Sequence, residues 1–228
     1  MFLRELEARP AEGMMKITFR KLREDWGTDE KPFKKKQHPS KQTKMRITID
    51  PAIVAKNFAL FENNASLQES AQLFAKGLPI AEMIQALAMN RSVLSAFAGF
   101  QTIYPHGNLE REIVEKAMLC VSRLNKCRFC VNSHLDITRA LGISSAGASD
   151  PSASEHSPRE RLAIELAIAI YHDSNRVPED LYQRLQDAFT DEQLVELAFL
   201  IGFINMLNWF NNALGVRYHG EFEGIEVV

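Results

Sequence analysis

The sequence predicts an all-α domain, and three observations carry that prediction. Apolar residues recur at helical spacing from about residue 52 onward. Capping signatures precede several of these runs, and no run alternates convincingly with period two.

In chain order, Ala52–Phe61, Leu67–Ala75 and Ile80–Ala88 read as three short helices, the last two parted by Gly77-Leu78-Pro79. Val93–Ile103 follows and ends at the turn signal Tyr104-Pro105-His106-Gly107. Leu109–Leu124 sets Ile113, Ala117, Cys120, Val121 and Leu124 on one face, as a packed amphipathic helix does. Cys127–Leu141 is the next helix, stopped by Gly142. Ser144 to Ser157 is rich in Ser, Ala, Gly and Pro and reads as a flexible connector. Ser157-Pro158-Arg159-Glu160 then combines a Ser cap, Pro at the first helical position and Glu at the capping-box position. That helix runs to about Tyr171, Pro178–Phe189 is another, and Thr190-Asp191-Glu192-Gln193 caps a final one reaching Ala213.

The totals agree with this class. The chain has 228 residues, enough for one domain with a substantial core. A net charge of -2 gives no reason to expect a nucleic-acid partner. Residues 1–45 carry 12 Lys/Arg against 7 Asp/Glu and little apolar periodicity, so they read as a basic, mobile extension to a helical domain over 46–228. The apolar segment Leu194 to Phe210 is broken by Glu196, Asn205 and Asn208, which favours a buried core helix over a membrane span. An odd number of cysteines, three, argues against a disulfide framework and for a cytoplasmic protein. In that compartment a close Cys pair points to catalysis or metal binding.

The chemistry concentrates in Cys127-Arg128-Phe129-Cys130-Val131-Asn132-Ser133-His134. Unpaired N–H groups and the helix dipole favour a thiolate at a helix start. Taking about 100° per residue, Cys127, Cys130 and His134 fall in one narrow stripe. Cys130 and His134 are an i, i+4 pair, within reach of a thiol–imidazole hydrogen bond. The expected activity is thiol–disulfide redox chemistry, with either sulfur as the nucleophile. Zinc is the competing reading, requiring Glu115 and a water beside the cysteines and His134. On its own helix Glu115 falls about 200° from Ile113, on the side where a solvated Glu also sits. Cys120 lies on the apolar face and reads as a small core residue.

Glu115, Cys127, Cys130 and His134 also fit a spaced pattern: Glu, eleven residues, Cys-x-x-Cys, three residues, His. With it the chain resembles the AhpD-like alkylhydroperoxidases of the carboxymuconolactone decarboxylase superfamily, over roughly residues 50–218. The resemblance implies a helical subunit forming trimers or hexamers that reduces hydroperoxides in antioxidant defence. It implies no metal or organic cofactor, and a dithiol electron donor of protein or lipoyl type. It assigns Cys130 as the attacking thiolate, Cys127 as the resolving thiol, His134 as proton acceptor and Glu115 as part of the relay. The best-known AhpD enzymes place a second His just before the second Cys; here Phe129 stands there. Disulfide exchange without peroxide is therefore the accompanying alternative, and a non-catalytic redox sensor or a cofactorless decarboxylase are the others.

Further His and Asn residues are weaker candidates. His106 and His156 read as solvated, and His172 and His219 as meeting helix-terminal carbonyls. Asn205, Asn208, Asn211 and Asn212 on the last helix must find partners, mainly internal ones, with Asn208 and Trp209 as pocket-lining candidates.

Overall fold

The computed structural model describes residues 44–219, apart from 62, 65, 105, 106 and 146–149. The predicted extension over 1–45 lies outside the described residues except for Lys44 and Met45, and so does His106. Among the described residues there are helices and connecting segments but no strand. The helices are α1 (Pro51–Phe58, continued by a 3₁₀ turn Ala59–Phe61), α2 (Gln68–Ala75), α3 (Glu82–Ala88), α4 (Arg91–Phe100), α5 (Arg111–Leu124), α6 (Arg128–Ala140), α7 (Pro158–Asp173), α8 (Glu179–Ala188) and α9 (Asp191–Leu214).

Local chemistry sets the helix starts. The Asp50 side chain accepts from the N–H groups of Ala52 and Ile53, with Pro51 in the first turn. Asn90 caps α4 through the N–H groups of Ser92 and Val93, so that helix begins two residues before the apolar pattern suggests. Ser157 with Glu160, and Thr190 with Gln193, form complete capping boxes on α7 and α9.

α5 is the hub. Every residue from Ile113 to Ser122 is buried, because α5 packs against α6, α7 and α9 on different sides. Its predicted apolar face is only part of what it covers. α9 is, among the described residues, the one helix long and apolar enough to cross a membrane. It lies against α5, α6, α7 and α8, as a core helix does. The chain entering α1 is tied to its far end, where the Arg46 N–H and guanidinium donate to the Leu214 and Ala213 carbonyls.

The α5–α6 connection positions the cysteines. Lys126 adopts a left-handed conformation (φ 54°), the only described residue other than glycine to do so. The Cys127 N–H then donates to the Ser122 carbonyl (3.0 Å), and the Lys126 N–H donates to that of Arg123 (3.0 Å). This Schellman closure ends α5 and delivers Cys127 directly as the N-cap of α6. Lys tolerates that backbone at a cost of roughly 1 kcal/mol.

Leu119 is completely enclosed on the hub helix. Leu119→Ala is expected to lower stability by about 2–5 kcal/mol, read from urea unfolding followed by far-UV circular dichroism.

Candidate active site

Cys127 is the N-cap of α6, and its sulfur accepts the backbone N–H of Cys130 (3.3 Å). The donor that a helix start offers thus goes to Cys127. Cys130 is served by side chains. The Asn211 amide on α9 donates to its sulfur (3.2 Å), and the Cys127 thiol and Asn208 donate as well.

These contacts separate the two thiols. Burial opposes ionisation of Cys130, but donation from Cys127 and Asn211, the charge of His134 and donation from Asn208 outweigh it and bring the thiol down to about 7. Donating to Cys130, with burial added, pushes Cys127 well above the ordinary thiol range. Cys120 is completely buried without comparable partners and is pushed up to about 12.

Behind the sulfurs lies a buried carboxylate. Glu115 is fully enclosed, accepts the Tyr104 hydroxyl (2.6 Å), pairs with Arg111 (2.8 Å) and meets His134 Nδ1 (2.7 Å). Burial alone would raise the Glu115 carboxyl, but the His134 charge and hydrogen bond, Arg111 and Tyr104 hold it below the usual range. An ionised carboxylate only accepts, so Nδ1 carries the proton and Nε2 is the remaining proton site of the ring. Burial and the adjacent Glu115 charge hold the Tyr104 phenol well above its ordinary value, so Tyr104 stays a donor. Arg111 also lies over the Tyr104 ring (4.1 Å), and that ring meets His134 edge to face (6.2 Å).

Glu115 is therefore not on a wet face. Periodicity marks a wet side only where a helix has one, and the side of α5 holding Glu115 and Ser122 is enclosed. The predicted Cys130–His134 hydrogen bond does not form among the described residues; His134 acts on Cys130 through space and is bonded to Glu115. Tyr104 and Arg111 were not among the candidates, and Asn211 was expected only to find an internal partner. Arg111 was findable as an i, i+4 partner of Glu115.

Other residues also depart from expectation. His156 is buried against Lys116 (3.3 Å), which pairs with Glu160 (2.8 Å), instead of solvated. His219 meets the Glu82 carboxylate (2.9 Å), shared with Arg217, and not helix carbonyls. His172 is exposed beside Tyr171. Trp209 is largely exposed and donates to Asn125 (3.2 Å), so it does not line a pocket with Asn208. Asn205 and Asn212 bond internally to Asn125, as expected. Phe129 is buried against Tyr218 (6.0 Å). Among the described residues no three His, Cys, Asp or Glu side chains are grouped to hold a metal ion.

No family model matches the chain. The uncharacterized protein YdfG of Bacillus subtilis (strain 168) is 32% identical over 115 residues, 48% of this chain and 78% of YdfG. The chain belongs to the YdfG family. An uncharacterized peroxidase-related protein from Silicibacter sp. TM1040 superposes with a TM-score of 0.62 at 19% identity, covering 86% of this chain and all of that one. An alkylhydroperoxidase AhpD core protein from Ralstonia eutropha JMP134, also described as uncharacterized and peroxidase-related, gives 0.62 at 20% identity, covering 81% and 97%. The fold of this YdfG relative is thus the AhpD-like one.

A carboxyl held below its unfolded value contributes stability that is complete above the unfolded pKa, about 4.3, and is lost as the pH falls through the folded value. Glu115→Gln is expected to cost on the order of 3 kcal/mol at neutral pH by leaving buried donors mispaired. Urea unfolding at stepwise lower pH should show the gap to the parent protein closing in acid.

Proposed function

We propose that the protein is an AhpD-like thiol peroxidase in which Cys130 attacks and Cys127 resolves. The observation that carries the reading is the unequal company of the two sulfurs: Cys130 Sγ accepts the Asn211 amide (3.2 Å) and is brought to about 7, while Cys127 is pushed up. A thiol near ambient pH combines a useful thiolate fraction with high nucleophilicity.

In this mechanism the Cys130 thiol gives its proton to Nε2 of His134, whose positive charge is stabilised by Glu115 through Nδ1. The thiolate attacks the terminal oxygen of a hydroperoxide. An S–O bond forms as the O–O bond breaks, and the electron pair leaves on the alkoxide. The alkoxide takes the proton from His134 and departs as an alcohol, so the peroxide is reduced and the sulfur becomes a sulfenic acid. The Cys127 thiol then attacks that sulfur, the disulfide forms, and the hydroxyl leaves as water with the Cys127 proton. A dithiol of protein or lipoyl type restores the pair by two exchange steps, becoming a disulfide itself.

Cys130 is almost fully covered, which favours small hydroperoxides over bulky ones. We place the cycle in the reducing cytoplasm, where donors of this kind keep thiols reduced. The working form is a homo-oligomer, a trimer or hexamer. It is supported by the exposed apolar stripe Val195, Phe199, Met206 and Trp209, spaced by four, seven and three residues along α9. Disulfide exchange without peroxide is the second reading, favoured by Phe129, which packs against Tyr218 and supplies no imidazole.

Stopped-flow mixing of the reduced protein with a panel of hydroperoxides, following thiol loss, tests the reading. Cys130→Ser is expected to abolish consumption. Cys127→Ser should stop after one turnover, as a sulfenic acid trapped by dimedone. If no hydroperoxide reacts while the pair still cycles between dithiol and disulfide, the peroxidase assignment falls and the exchange reading stands.

Light scattering of the eluting protein tests the assembly. A mass above one chain is expected, reduced by Met206→Lys; a monomer at all concentrations overturns it.

A further inference from the structure

The proton relay accounts for Glu115, His134 and both cysteines, but leaves a polar atom beside the sulfur unexplained. Asn211 is 1% exposed, and its Oδ1 is buried without a hydrogen-bond partner. The other end of the same amide is well engaged. Nδ2 donates to Cys130 Sγ (3.2 Å) and lies 3.4 Å from Met83 Sδ on α3. Both neighbours are sulfur acceptors, so the amide nitrogen belongs on that side and the carbonyl oxygen is turned away from them. An enclosed amide oxygen without a donor forfeits a hydrogen bond, a cost that a ligand bearing an O–H would relieve.

We propose that Asn211 is a catalytic residue of the dithiol site: its Nδ2 holds the attacking Cys130 sulfur, and its Oδ1 accepts the O–H of the hydroperoxide. The inference rests on the peroxidase reading and names the group that orients the substrate. A hydroperoxide differs from an ether or a dialkyl peroxide in its terminal O–H. One amide that donates to the nucleophile and accepts from that hydroxyl sets the terminal oxygen beside the sulfur, rather than the alkyl-bearing oxygen. The terminal oxygen is the one transferred. The S–O bond forms on it, the O–O bond breaks, and the electron pair leaves on the alkoxide, which takes its proton from His134. The hydroxyl hydrogen stays on the transferred oxygen, so Oδ1 keeps its partner into the sulfenic acid. It loses that partner when Cys127 expels the hydroxyl as water.

The titratable groups near the sulfur are Cys127 and His134 on α6, with Glu115 on α5 behind the imidazole. On α3, Glu82 adjoins Met83 and is engaged by Arg217 and His219. The α9 residues at the sulfur, Asn208 and Asn211, bring no charge. Replacing Asn211 therefore changes hydrogen bonding without deleting an ion.

Asn211→Leu keeps most of the side-chain volume and removes both functions; Asn211→Ala replaces it where Leu does not pack, with folding checked by far-UV circular dichroism. Two readouts separate the two roles. The pH profile of Cys130 alkylation by iodoacetamide is expected to move upward by about one pH unit when the Nδ2 donor is lost. The second-order rate with ethyl hydroperoxide is measured at about pH 9.5, well above the ordinary thiol value, so that thiolate fraction no longer limits either protein. There the variant is expected to be about tenfold slower, the loss of one substrate hydrogen bond. An unshifted alkylation profile overturns the donor role, and an equal rate at high pH overturns the contact with substrate. Parent protein that reacts with no hydroperoxide of the panel overturns the peroxidase reading itself, a different result from a reactive parent matched by its variant.

Discussion

The site depends on one buried negative charge. Glu115 sits on a helix with neighbours on several sides, where an unpaired carboxylate would cost many kcal/mol. Arg111 supplies charge from one turn earlier on the same helix, Tyr104 supplies a hydroxyl from the segment before it, and His134 supplies an imidazole from α6. Three parts of the chain are thereby held to one point. The carboxylate also dictates the chemistry of the ring it touches. By occupying Nδ1 it fixes the tautomer and leaves Nε2 as the remaining proton site of the ring. Arg111 lies over the Tyr104 ring, which keeps the phenol close to the carboxylate.

A second asymmetry sits at the sulfurs. A helix start would be expected to activate its first cysteine, because that residue meets the free N–H groups. Here the backbone N–H does reach Cys127, yet the balance falls the other way. Cys127 donates its own proton toward Cys130, so ionising Cys127 sacrifices that bond while ionising Cys130 strengthens it. Asn208 acts in the same direction, on Cys130, while Asn211 lowers both thiols. A symmetric dithiol motif thus becomes an ordered pair through contacts made by a helix more than 60 residues further along the chain.

What was legible in the sequence follows from how local each signal is. The capping boxes at Ser157 and Thr190, the Gly142 stop and the phase of Cys127, Cys130 and His134 are all set within a few residues, and all could be read. Glu115 was legible through its spacing to the cysteines but not through its phase. Helical periodicity separates a wet side from a dry one only when a helix has neighbours on one side, and α5 has them on several. His156 was misread for a related reason. Its serine-rich surroundings suggest solvent, but Lys116 is carried into the interior by the hub helix and meets it there. The row of asparagines on α9 was visible as an anomaly. Its destination was not, because the Asn211 contact with Cys130 spans 81 positions and exists only once α6 and α9 pack.

The use of amides at the sulfur, where a lysine or arginine would bind a thiolate more strongly, has a physical logic. A cation in direct contact would lower the thiol further, but thiolates lose nucleophilicity as their pKa falls, and the best attacker has a pKa near the ambient pH. Neutral donors give a graded effect. The Cys127 thiol, Asn211 and Asn208, together with the charge of His134, offset the burial penalty and bring Cys130 to about 7 with no cation bonded directly to the sulfur. The buried ion pair of Glu115 with Arg111 is kept at a distance, and the carboxylate meets the site through His134. The electrostatics are thus divided between a strong, buried pair at the imidazole and weaker neutral contacts at the sulfur. A change at the sulfur therefore leaves intact the pair that holds the helices together.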